Sequence, residues 1–229
     1  AGPEGNSSGP PCVDPFGQGD DLMRRIALFG LTLLALVVLA SPGMSYDRWQ
    51  MDITTGKPQV LLVKDTEGPG VPFLYFTFKV TNNTGKDREL NVSIIARSDT
   101  EKMIDGVRQR VESRAGFDAR ALKAITLREK RKLLSMVQMI GTIKDGETKE
   151  GVAIFRELDP EMDRVEFRIH GLVDPIDIVG GKRYFEEKVL VLHYKRPGDE
   201  FGHAEDPLIY VKKEWVVEGK RRELPSAKD

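Results

Sequence analysis

The sequence predicts a mainly β fold, an antiparallel β-sandwich that carries a helical insertion over about residues 107–141. Three observations predict it. Apolar and polar residues alternate over 73–81 and again over 90–96, the period of a strand with one buried face. Five more short apolar segments are set off by Pro- and Gly-bearing turns, with no strand–helix–strand alternation. One region, 101–141, departs from this pattern and shows helical spacing.

The first 45 residues are expected to lie outside the fold. Met23-Arg24-Arg25 opens an apolar run over 26–40, followed by Ser41-Pro42-Gly43-Met44-Ser45. A basic start, an apolar stretch and then small residues is the order of a secretory signal. The run is shorter than the roughly 20 residues that a bilayer core requires. Gly43 and Ser45 suit the −3 and −1 positions, which places cleavage before Tyr46. The expected location is therefore periplasmic or extracellular, with an N-terminal membrane anchor as the alternative. Residues 1–22, rich in Gly, Pro and Ser, read as a non-native or disordered leader, with Met23 as the start. Cys12 falls in that leader.

The chain of 229 residues has 35 basic and 36 acidic side chains. Removing the four acids of 1–22, together with Arg24 and Arg25, leaves 33 basic and 32 acidic residues and no cysteine. That balance gives no global field to draw nucleic acid, and none is expected as partner. A single Cys excludes a disulfide framework and any cysteine-based zinc or iron–sulfur site. Residues 46–229 are expected to form one domain with a short polar tail, enough chain to be held by core burial alone.

Within that domain, Leu74, Phe76, Phe78 and Val80 point one way, and Tyr75, Thr77, Lys79 and Thr81 the other. A half-buried strand is expected there. Asn82-Asn83-Thr84-Gly85-Lys86-Asp87 reads as a turn, because Asn and Gly tolerate positive φ. Leu90, Val92, Ile94 and Ala96 then alternate with polar residues, so the two segments are expected to pair as an antiparallel hairpin. Asn82 and Asn91 also open N-x-S/T sequons. Further strands are expected at 60–64, 151–155, 165–170, 188–195 and 209–217. Turns are expected at 68–72, 158–163, 179–182 and 196–202. Leu122, Ile125, Leu133, Met136, Val137 and Ile140 recur at helical spacing, and Gly141 supplies a stop. Residues 101–132 carry ten Lys or Arg against five acids; the mixed signs favour a solvated face over a basic contact surface.

The stretch FLYFTFKVTNNTGKDRELNVSI resembles the opening strand pair of immunoglobulin-like β-sandwich domains in secreted bacterial proteins. The pieces GVAIF (151–155), VEFRIHGL (165–172), LVLHYKRPGDE (190–200) and KKEWVV (212–217) resemble a poorly characterised exported family of that organisation. The resemblance spans about residues 52–217. It implies an immunoglobulin-like, extracytoplasmic sandwich of unassigned function and hands over no catalytic residues.

Candidate chemistry is sparse. His193 and His203 bracket Asp199 and Glu200 in HYKRPGDEFGHAEDP, and imidazole with carboxylate suits zinc or manganese. His193, Asp199, Glu200 and His203 are therefore the candidate metal ligands, although neither H-E-x-x-H nor an EF-hand spacing is present. No G-x-S-x-G occurs. The acid pairs Glu186-Glu187 and Asp174/Asp177 are the nearest approach to glycosidase carboxylates. Gly180-Gly181-Lys182 lacks the spacing of a phosphate loop and reads as a turn. Trp49, Tyr75, Tyr210 and Trp215 could form an aromatic platform, against the alternative of buried strand aromatics. No cofactor is expected. The expected role is a non-catalytic binding or structural module of the bacterial cell envelope, meeting a protein partner through loops or a strand edge. A metal- or carbohydrate-binding accessory protein is the alternative, and an envelope hydrolase the third.

Overall fold

The structure is a computed structural model that describes residues 48–64, 70–156, 158, 162–196 and 208–225. In chain order the strands begin with β1 (Asp52–Thr55), β2 (Gln59–Val63), β3 (Val71–Thr81), β4 (Arg88–Leu90), β5 (Ser93–Ile104) and β6 (Val107–Arg114). Two helices follow, α1 (Ala119–Glu129) and α2 (Met136–Met139). The chain continues through β7 (Gly141–Ile143), β8 (Thr148–Phe155), β9 (Arg164–His170), β10 (Ile176–Val179), β11 (Lys182–Lys195) and β12 (Ile209–Glu223). The fold is mainly β, and every strand pairing is antiparallel.

Sheet 1 is built around β3. β1 and β2 lie end to end along one side of it and β8 along the other. Sheet 2 runs β12, β11, β9, β5, β6, with β10 beside β9 along the same side of β11. β4 and β7 form a separate short pair. The inner faces of the two large sheets meet: Phe76 and Phe155 of sheet 1 stand 4.9 and 5.3 Å from Phe167 of β9, centroid to centroid. Leu74, Phe78 and Val80 join this core from sheet 1, and Ile94, Ile169, Leu190 and Leu192 from sheet 2.

Three expectations need correction. The segments 73–81 and 90–96 do not pair as a hairpin; β3 and β5 belong to different sheets. Both carry one apolar face, and alternation alone cannot separate strands that lie side by side from strands that face each other across a core. The corner is held by Asn82, which is fully buried. Its Nδ2 donates to the carbonyls of Lys86 (2.8 Å) and Ile143 (2.9 Å), and its Oδ1 accepts from Thr84. In the folded protein both amide hydrogens of Asn82 are thus spent on the main chain.

β3 is not half-buried. Phe73 to Phe78 are all buried, because α1 covers the outer face of sheet 1. Ala121 and Ile125 pack on Phe73, Tyr75, Val152 and Ile154 in a second core. The Tyr75 hydroxyl bonds to Gln59 and Glu129. Burial, reinforced by Glu129 and opposed by Arg128, pushes its pKa up to about 12.

The insertion, third, is helical only from Ala119. Residues 107–114 are β6, returned along β5 by Asp105-Gly106, both with positive φ. An Asp-Gly pair at a two-residue turn is a strong hairpin signal. Helical spacing further along the chain had masked it. α1 is capped by Asp118, whose carboxylate accepts from the amides of Arg120 and Ala121. Ser135 and Gln138 form a capping box on α2.

The start of the described chain is pinned to sheet 2. Arg48 Nη1 donates to Glu186 Oε1 at 2.8 Å and its Nε to the Asp174 carbonyl at 2.5 Å. The Arg48 guanidinium holds the Glu186 carboxyl below its ordinary 4.5, against a smaller opposing effect of burial. A depressed folded-state value means stabilisation that is fully present above about 4.5 and is lost as pH falls through the lower value. Arg48→Met should therefore cost stability at pH 7, and its gap from wild type should narrow on acidification toward pH 3. Denaturant titrations at both pH values would read this, and an unchanged gap would sink the assignment.

Candidate functional site

Of the predicted metal set, His193 alone lies among the described residues. His193 lies on the outer face of sheet 2, while Asp199, Glu200 and His203 lie outside the described residues. Among the described residues no group of three or more His, Cys, Asp or Glu could hold a metal ion. His193 sits instead in a row across four neighbouring strands and β12. Register places Glu112, Arg97, Glu166, His193 and Lys212 side by side, a mixed-charge ladder of the kind that stabilises a solvated sheet face. His193 Nε2 and Glu214 Oε1 are 2.9 Å apart. Lys212, with His193 behind it, keeps the Glu214 carboxyl below its usual range.

The other acids singled out are likewise engaged. Glu186 is held by Arg48, and Glu187 meets His170 Nδ1 at 2.8 Å. Asp177 accepts from Arg221 at 2.8 Å, and Asp174 caps the Ile176 amide at 2.9 Å. Arg168 ties Glu166 to Glu218. Gly180-Gly181 is the β10–β11 turn, as read from the sequence, with both φ values positive. Lys182 pairs with Glu223 at 3.0 Å.

The aromatics divide. Tyr75 is fully buried beneath α1, and Trp49 lies half-buried near the chain start under Arg88. Tyr210 and Trp215, by contrast, are 50% and 38% exposed. They share one side of β12 because a register shift falls between His193 and Tyr194, so that Tyr194 faces Tyr210 while Leu190 faces Trp215. Comparison of the chain with family models, curated proteins and solved structures finds no match. What the chain offers as a site is the geometry around Tyr210 and Trp215.

That geometry is a groove of about 920 Å³ along the side of the molecule where each large sheet ends. One wall is the chain from Gln50 to Lys57, including β1, the outermost strand of sheet 1 at that point. The floor is the inner face of β11 and β12, with Leu190, Leu192, Tyr194, Tyr210 and Trp215. Tyr194 reaches Thr55 of β1 with its hydroxyl and stacks edge-on against Tyr210, 5.7 Å between centroids. Burial is the main reason its pKa is raised. β1 thus roofs β11, and β12 extends past it uncovered.

Both bordering strands keep an unpartnered side. β1 pairs only with β3, and β12 only with β11, among the described residues. Ile209, Val211 and Val217 add to the exposed apolar surface of β12. Among the described residues no helix is long and apolar enough to cross a membrane.

Proposed function

We propose that the protein is an exported, non-catalytic binding module of the bacterial cell envelope, built on an immunoglobulin-like β-sandwich, that meets a protein partner at the groove beside β1 and β12. The observation that carries this reading is the groove itself. It is an apolar, aromatic-floored channel of about 920 Å³ flanked by two strands that, among the described residues, each lack a neighbour on one side. Unpaired strand edges recruit extended segments of other chains. Half-exposed Tyr and Trp are the side chains that most often anchor such contacts. Two antiparallel sheets sharing one core support the sandwich assignment. Support for export comes from the sequence of 23–45 alone.

The test is affinity capture from the native envelope with the wild-type chain and with a Tyr210→Asp/Trp215→Asp variant. Both side chains are already half in solvent, so the variant should keep its fold, checked by circular dichroism. A partner retained by wild type should be lost from the variant. Equal recovery by both would refute the groove as the contact.

A further inference from the structure

We infer that the groove is the slot of a missing strand of sheet 1, and that its occupant is an extended segment of a partner protein bearing apolar and acidic side chains. This rests on the reading of the groove as the partner site and adds which edge is used and what chemistry is selected.

The two edges differ. β12 is guarded against addition: Lys212, Lys213, Lys220, Arg221 and Arg222 lie along it, its pairing with β11 slips twice, and Gly219 has positive φ. Lysines and bulges are the usual protection of an edge. A strand added there would also extend sheet 2 with nothing above it. A strand laid along β1 gains on two counts. Its main chain pairs with the open side of β1, and its inward side chains cover Tyr210 and Trp215, which are 50% and 38% exposed. The wall from Gln50 to Lys57 corresponds to about 26 Å of extended chain at ~3.3 Å per residue, enough for one short strand.

Of the two carboxylates lining the groove, Glu214 is offset by Lys212, whereas Asp52 accepts from the neutral Asn83 at 2.7 Å and keeps its charge. Two lysines line it as well. Lys213 rises from the floor opposite Leu192 and Lys57 stands at the rim just past β1, and neither forms an ion pair among the described residues. Set against Asp52, the two lysines leave the groove a net positive charge, which selects carboxylates and disfavours cationic strands. A second copy of this chain offering its own β12 would set lysine against lysine.

The test uses two blocked eight-residue peptides, one with valine alternating with glutamate and threonine, the other with lysine in place of glutamate. Binding is read by anisotropy of a fluorophore on the peptide, and the contacted edge by backbone hydrogen exchange. The glutamate peptide should bind about tenfold or more tightly than the lysine peptide, and protection should rise at residues 52–55. Lys57→Glu/Lys213→Glu, two exposed changes, should reverse the preference. Equal binding of both peptides, or protection along β12 instead of β1, overturns the inference while leaving the groove a binding site. Binding by neither peptide removes the groove reading as well.

Discussion

Replacing Gly171 with alanine should cost roughly 3–5 kcal/mol, one of the largest losses available to a single methyl group in this protein. Gly171 follows the end of β9 at φ +79°, a left-handed conformation that L-residues rarely adopt. The conformation alone accounts for about 1–2 kcal/mol. The remainder comes from contact, because a Cβ at this position would stand 2.1 Å from the Asn91 carbonyl oxygen and 3.2 Å from the Val92 nitrogen. Those are main-chain atoms of the link between β4 and β5 and cannot swing aside, so β5 and β9 must part or the loop must rebuild. Gly180 supplies the control. It too has positive φ, yet nothing lies within 4 Å of its added Cβ, so Gly180→Ala should cost only about 1–2 kcal/mol. Urea titration of the three proteins would decide it; similar losses at both sites would show that the close approach to Asn91 is not what matters.

Phe167→Ala should be comparably severe, about 3–5 kcal/mol. Phe167 is fully buried, and its ring lies within 6 Å of three others: Phe76 at 4.9 Å, Phe155 at 5.3 Å and Tyr194 at 5.6 Å. It is the point at which β3, β8, β9 and β11 all touch. Removing the ring leaves a cavity whose walls belong to two sheets, and neither can close on it without dragging strands out of register. Val111, near the sheet 2 edge and 7% exposed, makes the comparison. Val111→Ala should lose much less if the central position is what counts. A Phe167→Ala loss below about 1 kcal/mol would mean that the two sheets do not depend on this contact.

Much of this core was legible in the sequence. Val165, Phe167 and Ile169 alternate with Glu166, Arg168 and His170, and the structure buries the first set and turns the second to the charged face. The reading worked because that strand has one wet side. It failed for β3, where Tyr75 and Thr77 carry hydroxyls that suggest solvent, but Tyr75 lies under α1 and Thr77 accepts from Arg131 just past it. Polar atoms on a large side chain do not reveal which element will cover them. β1 (DITT) and β10 (IDIV) are too short to show a period, and only pairing with a longer strand makes them strands. The groove was half visible. Tyr210 and Trp215 were singled out, but their floor includes Leu190 and Tyr194 from another strand and a wall from residues 50–57. Its existence depends on one sheet reaching further than the other, and no local pattern encodes that offset.

The end-to-end strands have a bearing on how this chain can change length. β1 and β2 follow β3 in succession, and the partner of each residue slips by one between Thr55 and Gln59, across Gly56-Lys57-Pro58. β9 and β10 follow β11 in the same manner, interrupted at 171–175. Facing alternates with every residue along a strand, so a single insertion inside β3 would turn Leu74, Phe76, Phe78 and Val80 away from the core together. At the two interruptions the count already restarts. A residue gained beside the exposed Lys57 is absorbed by the first of them, and the strands on either side keep their faces. The second is fixed in length, because Leu172 and Val173 are buried in the core and Gly171 lies against Asn91.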